Sequence, residues 1–290
     1  MKKKILFVSP HMILGGLEKS LLSLLSSLPE DKFEITVLLV KKRGALLANI
    51  PNNIRVLEIP LPNDVGDELL AGGAKASTIR KLKKFQFIGA IKIVLKKVLK
   101  LDPIPELSMN YNDIPILDEK FDVAVAYQLH MPFIVKYVTK NIRAKKKILW
   151  IHSDLTKSGF NPRILKKELN KFDEFITVSK KLRDEFISYF PLYEDKTDVI
   201  YNILPIQYIH EMSDEEVDFD NEYKGLKILT IGRLAREKGI DIAIESFKHI
   251  RSEGYNCKWY VIGDGVEKSN IRKKIKANNL ENHFIILGSK

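Results

Sequence analysis

The stretch "ILTIGRLAREKGIDIAIESF", Ile228–Phe247, gives the most specific indication of the fold class. An apolar run ends at Gly232, and a helical pattern begins after Gly239. A strand, a glycine loop and a helix in this order are typical of one unit of a parallel α/β sheet. Two cations, Arg233 and Lys238, lie five residues apart on the loop. Open α/β sheets bind ligands at the carboxyl ends of their strands, so these cations form a candidate diphosphate site. A basic loop with solvated side chains is the alternative.

A second unit of this kind stands near the start of the chain, in "VSPHMILGGLEKSLLSLL", Val8–Leu25. Gly15 and Gly16 precede a helical pattern that begins at Leu17. Glycines let a backbone approach an anion closely, and the free N–H groups of a helix start favour negative charge. The dinucleotide fingerprint G-x-G-x-x-G is absent here. The pair therefore predicts an anion-binding loop, with a plain turn as the alternative.

A third unit is "WYVIGDGVE", Trp259–Glu267, in which a strand runs into the turn Gly263, Asp264 and Gly265. The turn would let a base or a ribose lie against the backbone. Taken alone it is a tight turn, because glycine and aspartate are common turn residues.

Apolar runs that alternate with helical patterns organise the whole chain. Strand-like runs occupy residues 5–9, 34–40, 56–60, 122–127, 147–152, 174–179 and 198–201, and again 227–232, 258–263 and 283–288. Several are apolar on both faces, which indicates parallel sheets covered on both sides. The pattern predicts a doubly wound α/β domain over 1–205, an acidic linker over 206–225, and a partial α/β domain over 226–290.

Charge and composition limit the function classes. The net charge of +11 lies wholly within residues 1–200, and the single cysteine excludes an intrachain disulfide and a cysteine-based zinc site. The cations do not alternate with aromatic stacking residues, and no nucleic-acid-binding motif occurs, so no nucleic-acid partner is predicted. No stretch is apolar enough to span a bilayer. The basic segment Ser77–Leu101 predicts either a surface helix with solvated lysines or a helix lying on an anionic membrane.

Four further stretches complete a resemblance: "LWIHSD" at 149–154, "ITVSKKL" at 176–182, "VIYN" at 199–202 and "IILG" at 285–288. With the three glycine units, they resemble the family 4 glycosyltransferases, which are retaining nucleotide-sugar enzymes of the GT-B fold. The resemblance covers essentially the whole chain. It implies an α/β chain with two Rossmann-like doubly wound parallel-sheet domains, which are an acceptor-side domain over 1–205 and an incomplete nucleotide-sugar-binding domain over 226–290.

The resemblance also implies roles for particular residues. Arg233 and Lys238 match the pair that grips the donor diphosphate and stabilises the departing nucleotide, and Gly16 would approach the same diphosphate. His152 matches a histidine that faces the donor sugar and stabilises charge in the transition state. Considered without the family, a histidine at a strand end is as readily a structural one. The donor-binding set is Gly15, Gly16, Asn202, Gly232, Gly263, Asp264 and Gly265.

The expected function follows from this resemblance. It is a hexosyltransferase that moves a sugar from a UDP-sugar, with retention and without a metal or other cofactor, to a lipid-linked saccharide or cell-envelope glycan. The expected location is cytoplasmic, with peripheral contact at the inner face of the membrane if Ser77–Leu101 binds lipid. The family's paired glutamates would lie beyond Lys290, so a truncated second domain is expected. The alternative is a non-catalytic glycosyltransferase-like subunit that needs a partner chain to complete the donor site.

Overall fold

The structure, a computed structural model, describes residues 1–61, 63–70, 114–155, 162–215, 220 and 222–289. It separates into two compact units, Met1–His210 (unit 1) and Glu211–Lys290 (unit 2). The basic segment Ser77–Leu101 lies outside the described residues, so its membrane contact stays a prediction. Within the described part of the chain, no helix is long and apolar enough to cross a membrane.

Unit 1 contains a seven-stranded, all-parallel sheet with the order β3-β2-β1-β4-β5-β6-β7. Its strands are β1 (Lys3–Ser9), β2 (Phe33–Leu39), β3 (Arg55–Glu58), β4 (Leu117–Ala126), β5 (Ile142–Ile151), β6 (Glu174–Thr177) and β7 (Thr197–Val199). Its described helices are α1 (Gly16–Ser27), α2 (Asn63–Leu70), α3 (Pro132–Asn141), α4 (Pro162–Leu169) and α5 (Lys180–Tyr189). A further helix, α6 (Ile206–Ser213), runs across the boundary between the two units.

Both faces of this sheet are covered, as the doubly apolar strands predict. Leu6 and Val8 of β1 belong to a core with α3 and α5, whereas Phe7 belongs to a second core with Leu21 and Leu25 of α1. Successive side chains of a strand point to opposite faces, so one strand feeds both cores. The direction of the strand order reverses between β1 and β4, and open α/β sheets generally bind ligands at the carboxyl ends of the strands at such a position.

Unit 2 contains a three-stranded parallel sheet with the order β10-β9-β8. Its strands are β8 (Leu226–Ile231), β9 (Cys257–Ile262) and β10 (Phe284–Gly288), and its described helices are α7 (Ile240–Ser252) and α8 (Lys268–Ala277). The core joins Phe247 of α7 and Ile271 of α8 to Val261 of β9.

The acidic linker predicted over 206–225 is not extended chain throughout, because α6 occupies its first eight residues. Ile206, Ile209 and Met212 recur three residues apart, which is a helical spacing, and all three are exposed. The acidic residues that follow concealed this short pattern in the sequence. The domain limits at 205 and 226 stay predictions.

Candidate functional site

In unit 2, the carboxyl ends of β8 and β9 are joined backbone to backbone. The Leu234 N–H donates to the Asp264 carbonyl at 2.9 Å, and the Leu234 carbonyl accepts from the Glu267 N–H at 3.0 Å. A Cβ at Gly265 would lie 2.3 Å from the Leu234 carbonyl oxygen. The loop that carries Arg233 and the predicted Gly-Asp-Gly turn are therefore one rigid assembly, and Gly265 is required by that packing.

The two loop cations predicted to bind the donor, Arg233 and Lys238, differ in their surroundings. Arg233 is exposed, and its Nη2 lies 2.8 Å from Oε1 of Glu237, one helical turn away. Lys238 is exposed at the end of a short 3₁₀ segment, Arg236–Lys238, and no hydrogen bond or ion pair of its ammonium group is found among the described residues. Gly239 follows with φ of 65° and starts α7. The loop therefore offers a guanidinium and an ammonium to solvent, which suits an anionic ligand.

Asp264 has a structural task in this turn. Its Oδ1 accepts the Gly265 N–H at 2.8 Å, and its Oδ2 pairs with Lys268 Nζ at 2.5 Å. The hydrogen bond from Lys268 is the main reason that the pKa of Asp264 lies below its ordinary value. The carboxylate thus closes the turn and anchors the start of α8.

In unit 1, the Gly15–Gly16 loop begins α1 beside a buried carboxylate. Gly15 is the extended N-cap, and a Cβ there would lie 2.4 Å from Oε2 of Glu18. Oε1 of Glu18 lies 3.1 Å from Nδ1 of His11. Gly16 is exposed, and a Cβ there would meet nothing within 4 Å. A Cβ at Gly15 would thus meet only the end of the Glu18 side chain, whereas at Gly16 the space is open and the backbone is free to approach a ligand.

His152 follows β5 and is held against Tyr127, with ring centroids 4.3 Å apart. Burial lowers the pKa of His152 to about 3, so the imidazole is neutral at physiological pH. Its Nε2 is buried, and no described residue forms a hydrogen bond with it. A neutral imidazole can exchange a hydrogen bond with a substrate, but it contributes no positive charge of its own.

The structure connects His152 to Asn202 through two residues that sequence reasoning missed. Ser20 of α1 lies 3.1 Å from the Tyr127 hydroxyl and 2.7 Å from Oδ1 of Asn202. Three predicted features of unit 1, the α1 start, His152 and Asn202, therefore meet at one edge of the sheet. The available signal was Tyr127 at the carboxyl end of an apolar strand.

Among the described residues, no group of three or more His, Cys, Asp or Glu side chains could hold a metal ion. Asp220, in the predicted acidic linker, contacts β9 instead. Its Oδ2 pairs with Lys258 Nζ at 2.8 Å and accepts a hydrogen bond from the Tyr260 hydroxyl. Asp220 thus fastens its segment to β9.

Comparison with known proteins bears on both units. Residues 213–290 match the family model described as Glycosyl transferases group 1. A relative named as an uncharacterized glycosyltransferase of Methanocaldococcus jannaschii is 27% identical over 210 residues, which cover 67% of this chain and 49% of the relative. The chain thus spans about half the length of that relative.

Two further likenesses concern substrates and fold. A Campylobacter jejuni protein is 24% identical over 46% of this chain and 35% of its own length; it is named an N-acetylgalactosamine-N,N'-diacetylbacillosaminyl-diphospho-undecaprenol 4-alpha-N-acetylgalactosaminyltransferase. The crystal structure of Anabaena HepE in complex with UDP and glucose matches 99% of this chain and 70% of HepE, with 17% identity and a TM-score of 0.58. The predicted GT-B-like fold class, with Rossmann-like parallel sheets, is confirmed.

Proposed function

We propose that this chain is a glycosyltransferase that moves a sugar from a UDP-sugar to a glycan or glycolipid acceptor. The observation that carries the proposal is the rigid assembly at the carboxyl ends of β8 and β9. This assembly carries the exposed side chains of Arg233 and Lys238, and it lies inside the region that matches Glycosyl transferases group 1. Curated relatives bear glycosyltransferase names, and a structural neighbour binds UDP and glucose.

The positive charges of Arg233 and Lys238 explain how this site would assist the reaction. A departing nucleoside diphosphate gains negative charge as the sugar bond breaks, and fixed cations lower the energy of that transition state. Arg233 supplies a planar pair of donors, and Lys238 supplies a compact charge. We propose that these two side chains act without a metal ion.

His152, which belongs to unit 1, would face the donor sugar, as the resemblance to retaining enzymes implies. Because its pKa is about 3, its proposed contribution is a hydrogen bond from a neutral ring rather than an ionic contact.

Retention of configuration and a lipid-linked acceptor are parts of the same proposal. The name of the Campylobacter relative, which contains a diphospho-undecaprenol saccharide, supports the acceptor class. The configuration of the product can be read from its anomeric NMR couplings.

Calorimetric titration with UDP and UDP-glucose tests the proposal. Arg233→Ala should weaken the affinity for both by about 10- to 100-fold, since a hydrogen bond to a charged group contributes about 1.5–3 kcal/mol. Arg236→Ala, a change of another exposed arginine on the same loop, is the matched control and should bind like the parent. A parent that binds neither compound would overturn the proposal, as would equal effects of the two variants.

Cytoplasmic location and peripheral membrane contact through Ser77–Leu101 remain predictions. Sedimentation with anionic vesicles at low salt tests the membrane contact. Binding that falls steeply as salt is raised would support it, because lysines attract anionic lipids over about one Debye length. A protein that stays in the supernatant at low salt would contradict it.

A further inference from the structure

Three polar side chains from distant parts of unit 1 meet beneath the start of α1. Tyr127, which directly follows β4, is fully buried. Ser20 lies on α1 and is also buried, and Asn202 lies in the segment after β7. The Ser20 hydroxyl is 2.7 Å from Oδ1 of Asn202 and 3.1 Å from the Tyr127 hydroxyl. The contacts join positions 182 and 107 residues apart in the sequence.

The direction of each hydrogen bond follows from the chemistry of the groups. The Oδ1 atom of an asparagine only accepts, so the single proton of Ser20 goes to Asn202. The Ser20 oxygen must then accept from the Tyr127 hydroxyl. Burial raises the pKa of Tyr127 to about 12, so this hydroxyl keeps its proton at physiological pH. The chain of donation runs from Tyr127 to Ser20 to Asn202.

This chain fixes how the Asn202 side-chain amide is turned. Because Oδ1 is occupied by Ser20, the amide nitrogen Nδ2 is the branch left for other partners. Asn202 is exposed, and in the described part of the chain Nδ2 makes no hydrogen bond. Two N–H groups with a fixed orientation are therefore offered to a ligand oxygen.

Tyr127 also acts on His152, the other site residue at this edge of the sheet. Its ring packs against the imidazole at 4.3 Å between centroids, and the indole of Trp150 lies 5.4 Å from the Tyr127 ring and 6.1 Å from the imidazole. One buried phenol thus contacts the histidine through its ring and Ser20, the partner of the asparagine, through its hydroxyl.

We propose that Ser20 and Tyr127 are positioning residues that set the Asn202 amide to donate to an oxygen of the nucleotide-sugar. This inference rests on the proposed function, and it adds to that function a hydrogen-bond relay. The ligand oxygen belongs either to a phosphate or to a sugar hydroxyl. Titration with UDP and with UDP-glucose separates the two: a loss with both indicates phosphate, and a loss only with UDP-glucose indicates the sugar.

Matched variants separate the relay from general packing. Ser20→Ala is compared with Ser23→Ala, because Ser23 lies on the same helix and its hydroxyl donates to the Lys19 carbonyl. Tyr127→Phe is compared with Tyr137→Phe, because Tyr137 is equally buried in the other core and also has a pKa of about 12. Each pair deletes the same atom.

Two measurements give the result. In ¹⁵N NMR spectra, the Asn202 side-chain amide signals should shift in Ser20→Ala and Tyr127→Phe and stay in place in both controls. UDP-glucose affinity should fall about three- to tenfold in the two relay variants, as expected for one hydrogen bond. Ser20→Ala should have no further effect in an Asn202→Ala background, since the relay acts only through that amide.

The possible failures are distinct. A parent that binds neither UDP nor UDP-glucose overturns the proposed function. A parent that binds UDP-glucose, with Ser20→Ala and Ser23→Ala binding equally well, overturns the positioning role alone. Unchanged Asn202 amide signals in Ser20→Ala overturn the relay itself, whatever the affinities are.

Discussion

Gly263 lies so close to Gly232 that a Cβ at position 263 would be 1.9 Å from the Gly232 carbonyl oxygen. The backbone of Gly263 also has φ of 151°, a conformation that residues with side chains rarely adopt. The sequence suggested that this glycine lets a ligand approach. The structure shows that another backbone already requires the space.

Gly263→Ala should therefore destabilise unit 2 by at least about 2 kcal/mol, through backbone strain and a clash that no side-chain movement relieves. Urea unfolding of unit 2 can be followed by Trp259 fluorescence in a Trp150→Phe background, because the chain has two tryptophans. Gly254→Ala is the control, since Gly254 has φ of 85° but open space around a Cβ. Equal losses in the two variants would show that strain alone matters.

Gly16→Ala should separate binding from stability in unit 1. A Cβ at this exposed helix start meets nothing, and alanine favours a helix, so the unfolding midpoint should stay or rise slightly. If the backbone at Gly16 contacts a donor phosphate, the same methyl group should reduce UDP-glucose affinity about tenfold, the loss of one or two hydrogen bonds. Thermal unfolding and calorimetry together measure this, and unchanged affinity would remove Gly16 from the donor site.

Much of the fold could be predicted because the local signals agree with one another. Aliphatic runs such as that of β1 indicate strands buried on both faces, and glycines or prolines mark the ends of strands and helices. Helix α1, for example, ends just before Pro29, because the residue preceding a proline, here Leu28, is disfavoured in helical conformation. Long, consistent patterns of this kind need no knowledge of tertiary contacts.

The site was predicted only in part because its decisive contacts are tertiary. Ser20 and Asn202 are 182 residues apart, and the sequence around either residue does not indicate that the other is its partner. Glu18 lies in the first turn of α1, where a carboxylate favours the helix dipole, yet it also fills the space beside Gly15. The residue types at strand ends indicated a site, but the partners that orient them required the folded chain.

Glu237→Gln should strengthen donor binding about twofold. Glu237 holds Arg233 in an exposed ion pair, and such pairs contribute only about 0.3–0.5 kcal/mol, so removing the charge frees the guanidinium at little cost. Calorimetry with UDP gives the affinity. Glu245→Gln, an exposed change on α7 with the same loss of charge, is the control for the overall field. Weaker binding in Glu237→Gln would mean that the glutamate orients Arg233 for the ligand.

His152 should make the stability of the protein depend on pH in acid. Its pKa is about 3 in the folded state and 6.5 ordinarily, so the unfolded chain binds the proton more readily. The contribution of the neutral ring to stability is complete above pH 6.5 and is lost as the pH falls from 6.5 toward 3. Linkage gives a slope of up to about 1.4 kcal/mol per pH unit in that window.

His152→Phe keeps an aromatic ring against Tyr127 but removes the titrating group, so its free energy of unfolding should fall less between pH 6.5 and pH 4 than that of the parent. Urea unfolding at several pH values measures the two slopes. His130, whose pKa is also lowered by burial, contributes its own slope to both proteins, so the difference between them isolates His152. Identical slopes for His152→Phe and the parent would show that folding does not lower the pKa of His152.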